Sequence, residues 1–259
     1  MLDLTRIELT KKDIEKGIVL PTVISEDLAY LSGFLAGDGS FNFRTKKHEY
    51  SIKAVGNPKD EIDFYNEIII PLFKKLFNIG IKPRFYDGDT TYGIRIYSKS
   101  IFMFFTKIIG IQLGYKSKKI SIPEIFKNNE KLIMSFIEGF ADADFCFTLK
   151  KRYKKEFYYP CIEGESASKK IIDDIAFYLD KFGFKFTKCK IVRFDKRVNK
   201  SITTFRIDLN GYLQLFIWMM TIGFRNLKYI RKLEEWRKNS SNNKKISNAL
   251  KILVKSSNN

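Results

Sequence analysis

Apolar residues recur along the chain at two periods, and the switches between those periods mark out its elements. Leu28, Leu31 and Leu35 are spaced three and four apart behind Ser25, a potential N-cap followed by Glu26 and Asp27, so a helix is expected as far as about Asp38. The period then falls to two. Phe41 and Phe43 alternate with Ser40, Asn42 and Arg44, and Ile52 and Ala54 alternate with Ser51 and Lys53, which predicts two half-buried antiparallel strands. Residues 60–77 read as helix, 82–86 and 92–98 as strands around the turn signal Asp87-Gly88-Asp89, and 100–109 as helix. The same succession then returns: helix 130–144, strands 145–152 and 157–163, helix 169–182, strands 186–194 and 203–209, helix 212–221.

The recurrence extends to individual residues. Leu31-Ser-Gly-Phe-Leu-Ala-Gly-Asp-Gly-Ser-Phe41 matches Ile137-Glu-Gly-Phe-Ala-Asp-Ala-Asp-Phe-Cys-Phe147. Gly80-Ile-Lys82, Ile94-Arg-Ile96 and Gly114-Tyr-Lys116 reappear in the same order as Gly183-Phe-Lys185, Phe205-Arg-Ile207 and Gly223-Phe-Arg225. Two copies of one unit are therefore expected, over 25–120 and 130–236, joined by a linker at 121–129. Residues 1–24 form an N-terminal extension, and 237–259 a polar tail rich in Asn, Ser and Lys in which 246–254 could add a helix.

Within each repeat the first helix carries a stripe of small residues, Gly33 and Gly37 in one and Gly139 and Ala143 in the other. If the stripes face each other, two backbones approach closely and Asp38 and Asp144 emerge side by side at the helices' C-terminal ends. The helix dipoles add negative potential there, so the pair repels itself until a hard divalent cation enters.

Net charge supplies a partner for such a site. Lys and Arg number 47 against 29 Asp and Glu, giving +18, an excess that a polyanion would neutralise. No apolar run approaches the length of a membrane span, and Met1 to Lys16 has no apolar core of a secretory signal, so a soluble intracellular protein is expected, in a microbial cytoplasm or an organelle matrix. Cys146, Cys161 and Cys189 are too few and too scattered for a disulfide framework or zinc ribbon. His48, the single histidine, lies in a polar stretch and reads as a solvated loop residue, so triad and zinc-nuclease chemistries are set aside in favour of carboxylates and lysines.

With these residues assembled, Leu31 to Gly39 and Ile137 to Asp144 resemble the two motif copies of the LAGLIDADG homing endonucleases and related maturases, with similar element order over about residues 25–235. The resemblance implies an α+β fold of two pseudo-symmetric αββαββα halves, packed through the motif helices and forming a saddle of antiparallel sheets on DNA. It implies catalytic, metal-binding roles for Asp38 and Asp144, with Gly37 and Ala143 at the same metal site. The ion would be Mg²⁺ or Mn²⁺, with Ca²⁺ supporting binding without efficient cleavage. Phe145 departs from the motif's terminal Gly, and Asp142 occurs in the second copy only, as an accessory acid. The family also carries a functional lysine after the last helix of each half; Lys119 and Lys228 are the candidates, with Lys116, Lys118 and Arg225 as phosphate contacts.

Strand alternation assigns a DNA-facing surface independently. In the first half it comprises Ser40, Asn42, Arg44, Lys53, Arg84, Tyr86, Arg95 and Tyr97; in the second, Thr148, Lys150, Arg152, Lys188, Lys190, Arg206 and Asp208. Most of the 24 Phe fall on apolar faces and are expected to pack in the core rather than stack on bases. The function expected is a monomeric, metal-dependent double-strand endonuclease acting on an extended, partly degenerate site, with no membrane and no obligate protein partner. The alternatives are an RNA maturase acting on its own intron RNA and a nuclease-dead DNA-binding regulator.

Overall fold

The computed structural model describes residues 1–112, 119–151, 158–195 and 199–240. A short helix α1 (Lys11–Glu15) precedes α2 (Glu26–Gly37), which Ser25 caps through a hydroxyl accepting from Leu28 N at 3.2 Å. The first half continues with β1 (Ser40–Arg44), β2 (Glu49–Gly56), α3 (Pro58–Phe64), a π turn (Tyr65–Ile69), α4 (Ile70–Phe77), β3 (Arg84–Tyr86), β4 (Thr91–Tyr97), α5 (Lys99–Met103) and a second π turn (Phe104–Ile109). The second half comprises α6 (Glu130–Asp144), β5 (Phe145–Lys151), β6 (Tyr158–Ser166), α7 (Lys169–Lys181), β7 (Thr187–Asp195), β8 (Lys200–Asn210), α8 (Tyr212–Thr221) and α9 (Leu227–Ser240).

Each half folds its strands into one antiparallel sheet, ordered β1-β2-β4-β3 and β5-β6-β8-β7. The α+β architecture of two repeated halves is thus present. Three details differ from the sequence reading. The helix expected over 60–77 widens to a π turn just ahead of Pro71, because proline has no N–H to donate and its ring would strike the carbonyl one turn back. Helices α1 and α9 were not anticipated. α9 runs through Trp236 to Ser240, its buried face marked only by Tyr229 and Trp236 among many charges, while 246–254 lies outside the described residues.

The helices cover one face of each sheet, and the aromatic residues fill the space between. Phe34, Phe64, Phe73, Phe77, Phe102, Phe104 and Phe105 are at most 2% exposed, several in edge-to-face pairs such as Phe77 with Phe104 at 5.5 Å. Each such burial contributes about 1.5–3 kcal/mol, so these phenylalanines are spent on packing, whereas Phe43, Phe85, Phe177 and Phe194 are exposed.

Helices α2 and α6 form the seam between the halves. A Cβ built on Gly33 would lie 2.0 Å from the carbonyl oxygen of Phe136, and one on Gly139 would lie 2.0 Å from that of Tyr30. The small stripes therefore face each other, backbone against backbone, each glycine admitting a carbonyl of the opposite helix.

Candidate active site and nucleic-acid interface

Because the stripes interlock in register, the two helices end together. A Cβ on Gly37 would meet the Ala143 Cβ at 2.5 Å and the carboxyl carbon and Oδ2 of Asp144 at 3.4 Å, so the Asp144 carboxylate lies against the last turn of α2. Asp38 is the C-cap residue of that helix, and both aspartates are half-buried. The cap N–H groups of Asp38 and Phe145 bond back to Phe34 and Ala141, and the carbonyls of Gly37 and Ala143 follow at the helix ends beside the carboxylates. Two carboxylates with helix-terminal carbonyls form an all-oxygen donor set, the chemistry suited to a hard divalent cation.

Phe145 does not disturb this end of α6. It adopts extended backbone (φ −95°, ψ 164°), so the helix passes directly into β5, while its ring lies over Gly164 on β6 and stacks 5.9 Å from Trp218. In the first copy a turn intervenes, and a Cβ on Gly39 would come within 2.5 Å of the Leu35 carbonyl oxygen. The second motif escapes the need for glycine by starting its strand one residue earlier.

Beneath the aspartates a buried polar network joins the halves. Asp142, fully buried, accepts from the Tyr30 hydroxyl at 2.6 Å and from the backbone N–H groups of Arg225 and Asn226 at 2.9 and 3.1 Å. Asn226 donates onward to Glu61 at 3.0 Å, and Glu61 also accepts from Lys228 Nζ at 2.7 Å and from Asn57 N at 2.7 Å. Lys228 lines a groove of about 530 Å³ that reaches Ala143, Phe145 and Cys146, beside the end of α6. Glu61 thus fixes one of the ammonium's three donors and leaves two for other partners. Burial, then the charges of Asp38 and Glu61, raise the pKa of the Tyr65 phenol, so Tyr65 also stands close to this centre. Neither Glu61 nor Tyr65 was singled out from sequence.

The other basic candidates divide. Lys119 is exposed and makes no ion pair among the described residues, although its neighbour Ile120 lies with Ala36 around a small cavity beside the end of α2. Lys119 and Lys228 thus share a repeat position without sharing an environment. Arg225, expected on phosphate, has carboxylate partners within the protein. It is held in a cross-half clasp, bonded to Glu138 at 3.2 Å and Asp27 at 3.1 Å, with its guanidinium 4.1 Å from the Tyr30 ring centre. Lys116, Lys118 and Arg152 lie outside the described residues.

The clasp carries a pH signature. Burial pushes Glu138 up to about 7, Arg225 opposing and Asp142 adding to the effect, and burial also pushes Asp142 up to about 6 against the Tyr30 hydrogen bond. An unfolded glutamate titrates near 4.3, so the folded chain holds this proton more tightly. Stability from Glu138 is therefore fullest below about pH 4 and falls as pH rises towards about 7, by up to about 4 kcal/mol. Glu138→Gln should make the fall between about pH 5 and pH 8 shallower in urea titrations, and an unchanged slope would contradict this assignment.

On the first sheet the register brings all eight candidate residues to the face turned away from the helices. Ser40 pairs with Lys53, Lys53 with Arg95 and Tyr86 with Thr91, while Asn42 and Tyr97 both lie opposite Ser51. Lys53, Arg84 and Arg95 surround the Tyr86 ring at 4.6, 5.1 and 5.7 Å from its centre. Arg44 pairs with Glu49 and Lys53 with Asp87, whereas Arg84 and Arg95 face tyrosines.

The second sheet differs. Thr148, Lys150, Arg206 and Asp208 share its open face, but there Lys150 and Arg206 both bind Glu163, Arg206 also binds Asp208 at 2.6 Å, and Arg193 binds Glu165 at 2.6 Å. Lys188 and Lys190 sit opposite Ile207 and Phe205, hence on the helix side, where Lys188 pairs with Asp173 of α7 at 2.6 Å. The expectation that these two lysines share a face with Arg206 is corrected: β7 is an edge strand with nearly all its residues exposed, so lysine is tolerated on both faces and polarity no longer marks the side. Cys161, Glu163 and Asp208 offer ligand atoms within 4.8 Å of one another, but Lys150 and Arg206 already neutralise the acids and burial pushes the Cys161 thiol up to about 11, so the trio is ill suited to a metal.

Comparison with known proteins bears on the fold. The structure is similar to the homing endonuclease I-DmoI in complex with DNA and Ca (TM-score 0.53, 18% identity, 81% of this chain and 97% of that one). It is also similar to a lysine-to-alanine variant of I-SmaMI (TM-score 0.53, 13% identity, 89% and 98%). The chain has the fold of the LAGLIDADG homing endonucleases. Among curated proteins it is 27% identical over 164 residues to an uncharacterized protein of Methanocaldococcus jannaschii, covering 63% of this chain and 57% of that one. It is 28% identical over 130 residues to a component of the A-type ATP synthase of Pyrococcus abyssi, covering 50% and 12%. The chain thus spans little more than half of the first relative and a small part of the second. No protein-family model matches. Among the described residues no helix is long and apolar enough to cross a membrane.

Proposed function

We propose that the chain is a site-specific double-strand DNA endonuclease of the homing type, hydrolysing phosphodiester bonds with a divalent metal ion held by Asp38 and Asp144. The observation that carries this reading is the interlocking of Gly33 and Gly139 with opposing carbonyls, which brings the ends of two acid-terminated helices together between two open sheet faces. Its structural neighbours support it, since I-DmoI structures hold target DNA with Ca, Mn or Mg.

In this proposal Asp38 and Asp144, with the Gly37 and Ala143 carbonyls beside them, hold Mg²⁺ or Mn²⁺, and Ca²⁺ supports binding without efficient cleavage. The ion supplies Lewis-acid stabilisation of the phosphate oxygens. Lys228, steadied by Glu61, adds a cation where charge develops, and Lys119 is the candidate in the first half. Ser40, Asn42, Arg44, Lys53, Arg84, Tyr86, Arg95 and Tyr97 contact one half-site, and Thr148, Lys150, Arg206 and Asp208 the other. The chain acts as a monomer because α2 and α6 already bury each other's stripes.

Incubation with a duplex library in Mg²⁺, followed by sequencing of the ends, tests the reading. Cut ends should gather at one recurrent, partly degenerate sequence. Ends no more frequent than in an EDTA control would overturn it.

A further inference from the structure

At one end of the first sheet, α1, the turn between β1 and β2, and the residues after β4 enclose a groove of about 670 Å³. Lys11, Lys12, Lys16, Lys47, His48 and Lys99 line it, all exposed. Against the five lysines stand Asp13 and Glu49 in the groove wall and the exposed Glu15 on α1 itself, which leaves an excess of positive charge. Glu49 is paired with Arg44, and Asp13 is 2% exposed and occupied by hydrogen bonds from Ser100 Oγ at 2.6 Å, Ser100 N at 3.2 Å and the Thr10 hydroxyl at 2.8 Å. Those bonds also fix α1 to the start of α5, so its lysines are presented from a pinned element.

The groove is continuous with the open sheet face. Tyr97, which lies on that face, forms part of its wall, and Lys16 Nζ donates to the Tyr97 carbonyl at 3.1 Å. On the other side of Lys16 and Tyr97 a second groove of about 430 Å³ carries Lys82 and Arg95. A strip of cations therefore leaves the sheet at Arg95 and runs past Lys16 to α1. On the open face of the second sheet, by contrast, Lys150, Arg193 and Arg206 are each bonded to a carboxylate. Lysines gathered in excess of their counter-charge repel one another, and a regular row of anions relieves that repulsion. The sugar–phosphate backbone, with one charge per about 3.4 Å along a strand, is such a row.

We infer that the α1 groove binds the phosphate backbone of the same duplex beyond the first sheet, so that the N-terminal segment is part of the DNA-binding surface and the footprint extends further on that side. This rests on the DNA-binding reading above, and its test separates the two. Lysine acetylation followed by mass spectrometry would be run on the wild-type chain in Ca²⁺, alone, with a short duplex spanning only the two sheets, and with a duplex one helical turn longer at each end. Lys11, Lys12, Lys47 and Lys99 should be protected by the long duplex and remain reactive with the short one. In parallel, replacing these four lysines with alanine should reduce the salt dependence of log K for the long duplex by about 3.6, at roughly 0.9 per phosphate contact, and leave the short duplex unaffected. Binding of both duplexes with all four lysines still reactive, or an equal loss on both lengths, would overturn the inference. Failure of either duplex to bind at all would overturn the DNA-binding reading itself.

Discussion

Replacing both Asp38 and Asp144 with asparagine should lower the rate of DNA cleavage by at least about 10³-fold, the loss of roughly 4 kcal/mol of transition-state stabilisation, while DNA binding in EDTA stays as tight as wild type or becomes tighter. Asparagine keeps the shape of each side chain and removes the charge that holds metal. In the proposed complex without metal, the two carboxylates would face phosphate at the joined ends of α2 and α6 and oppose binding, so neutralising them should help. Ca²⁺ should shrink the difference by screening the native acids. Plasmid cleavage in Mg²⁺ and fluorescence anisotropy in EDTA and Ca²⁺ read the two halves of this result. Retained cleavage would move the site elsewhere, and lost folding would make the aspartates structural caps.

The second large effect concerns the seam. Gly33→Ala and Gly139→Ala each introduce a Cβ that would sit 2.0 Å from a backbone carbonyl oxygen of the opposing helix. A clashing side-chain tip could rotate away, but backbone cannot, so α2 and α6 must separate and give up packing along their length. Overpacking of a core commonly costs about 1–3 kcal/mol, and at a backbone contact the upper end or beyond is expected. Each substitution should lower the thermal midpoint by about 6–12 °C at roughly 2–4 °C per kcal/mol. A midpoint within a degree or two of wild type would mean that the helices do not meet at these glycines in solution.

Gly33, Gly37, Gly139 and Ala143 could be recognised from sequence because close backbone approach leaves no room for any larger residue, and a constraint that strict leaves a periodic trace. The face of the first sheet was legible for a related reason: with helices covering one side and solvent the other, Phe41, Ile52, Ile94 and Ile96 must alternate with Asn42, Lys53 and Arg95. On β7 this logic fails, because an edge strand exposed on both sides does not penalise Lys188 or Lys190 for facing either way.

The polar network was illegible for a different reason. Glu61 meets Asn226 and Lys228 across separations of 165 and 167 residues, a pairing that exists only once the two halves dock. The clasp of Arg225 on Asp27 and Glu138 was likewise hidden, because in a chain of net charge +18 such a cation looks like any other. Lys228 stands between these cases. Its position after the last helix of the second half pointed to it, but the carboxylate that steadies it did not show.

Everything proposed for catalysis depends on Asp38 and Asp144 forming one divalent-metal site in the DNA complex. Mn²⁺ titration followed by electron paramagnetic resonance tests this most directly, comparing the wild-type complex with the complex of the Asp38→Asn, Asp144→Asn variant on the same duplex. Wild type should show tight Mn²⁺ binding that the variant lacks while still holding DNA. Tight Mn²⁺ binding of equal stoichiometry in both complexes would contradict the shared site.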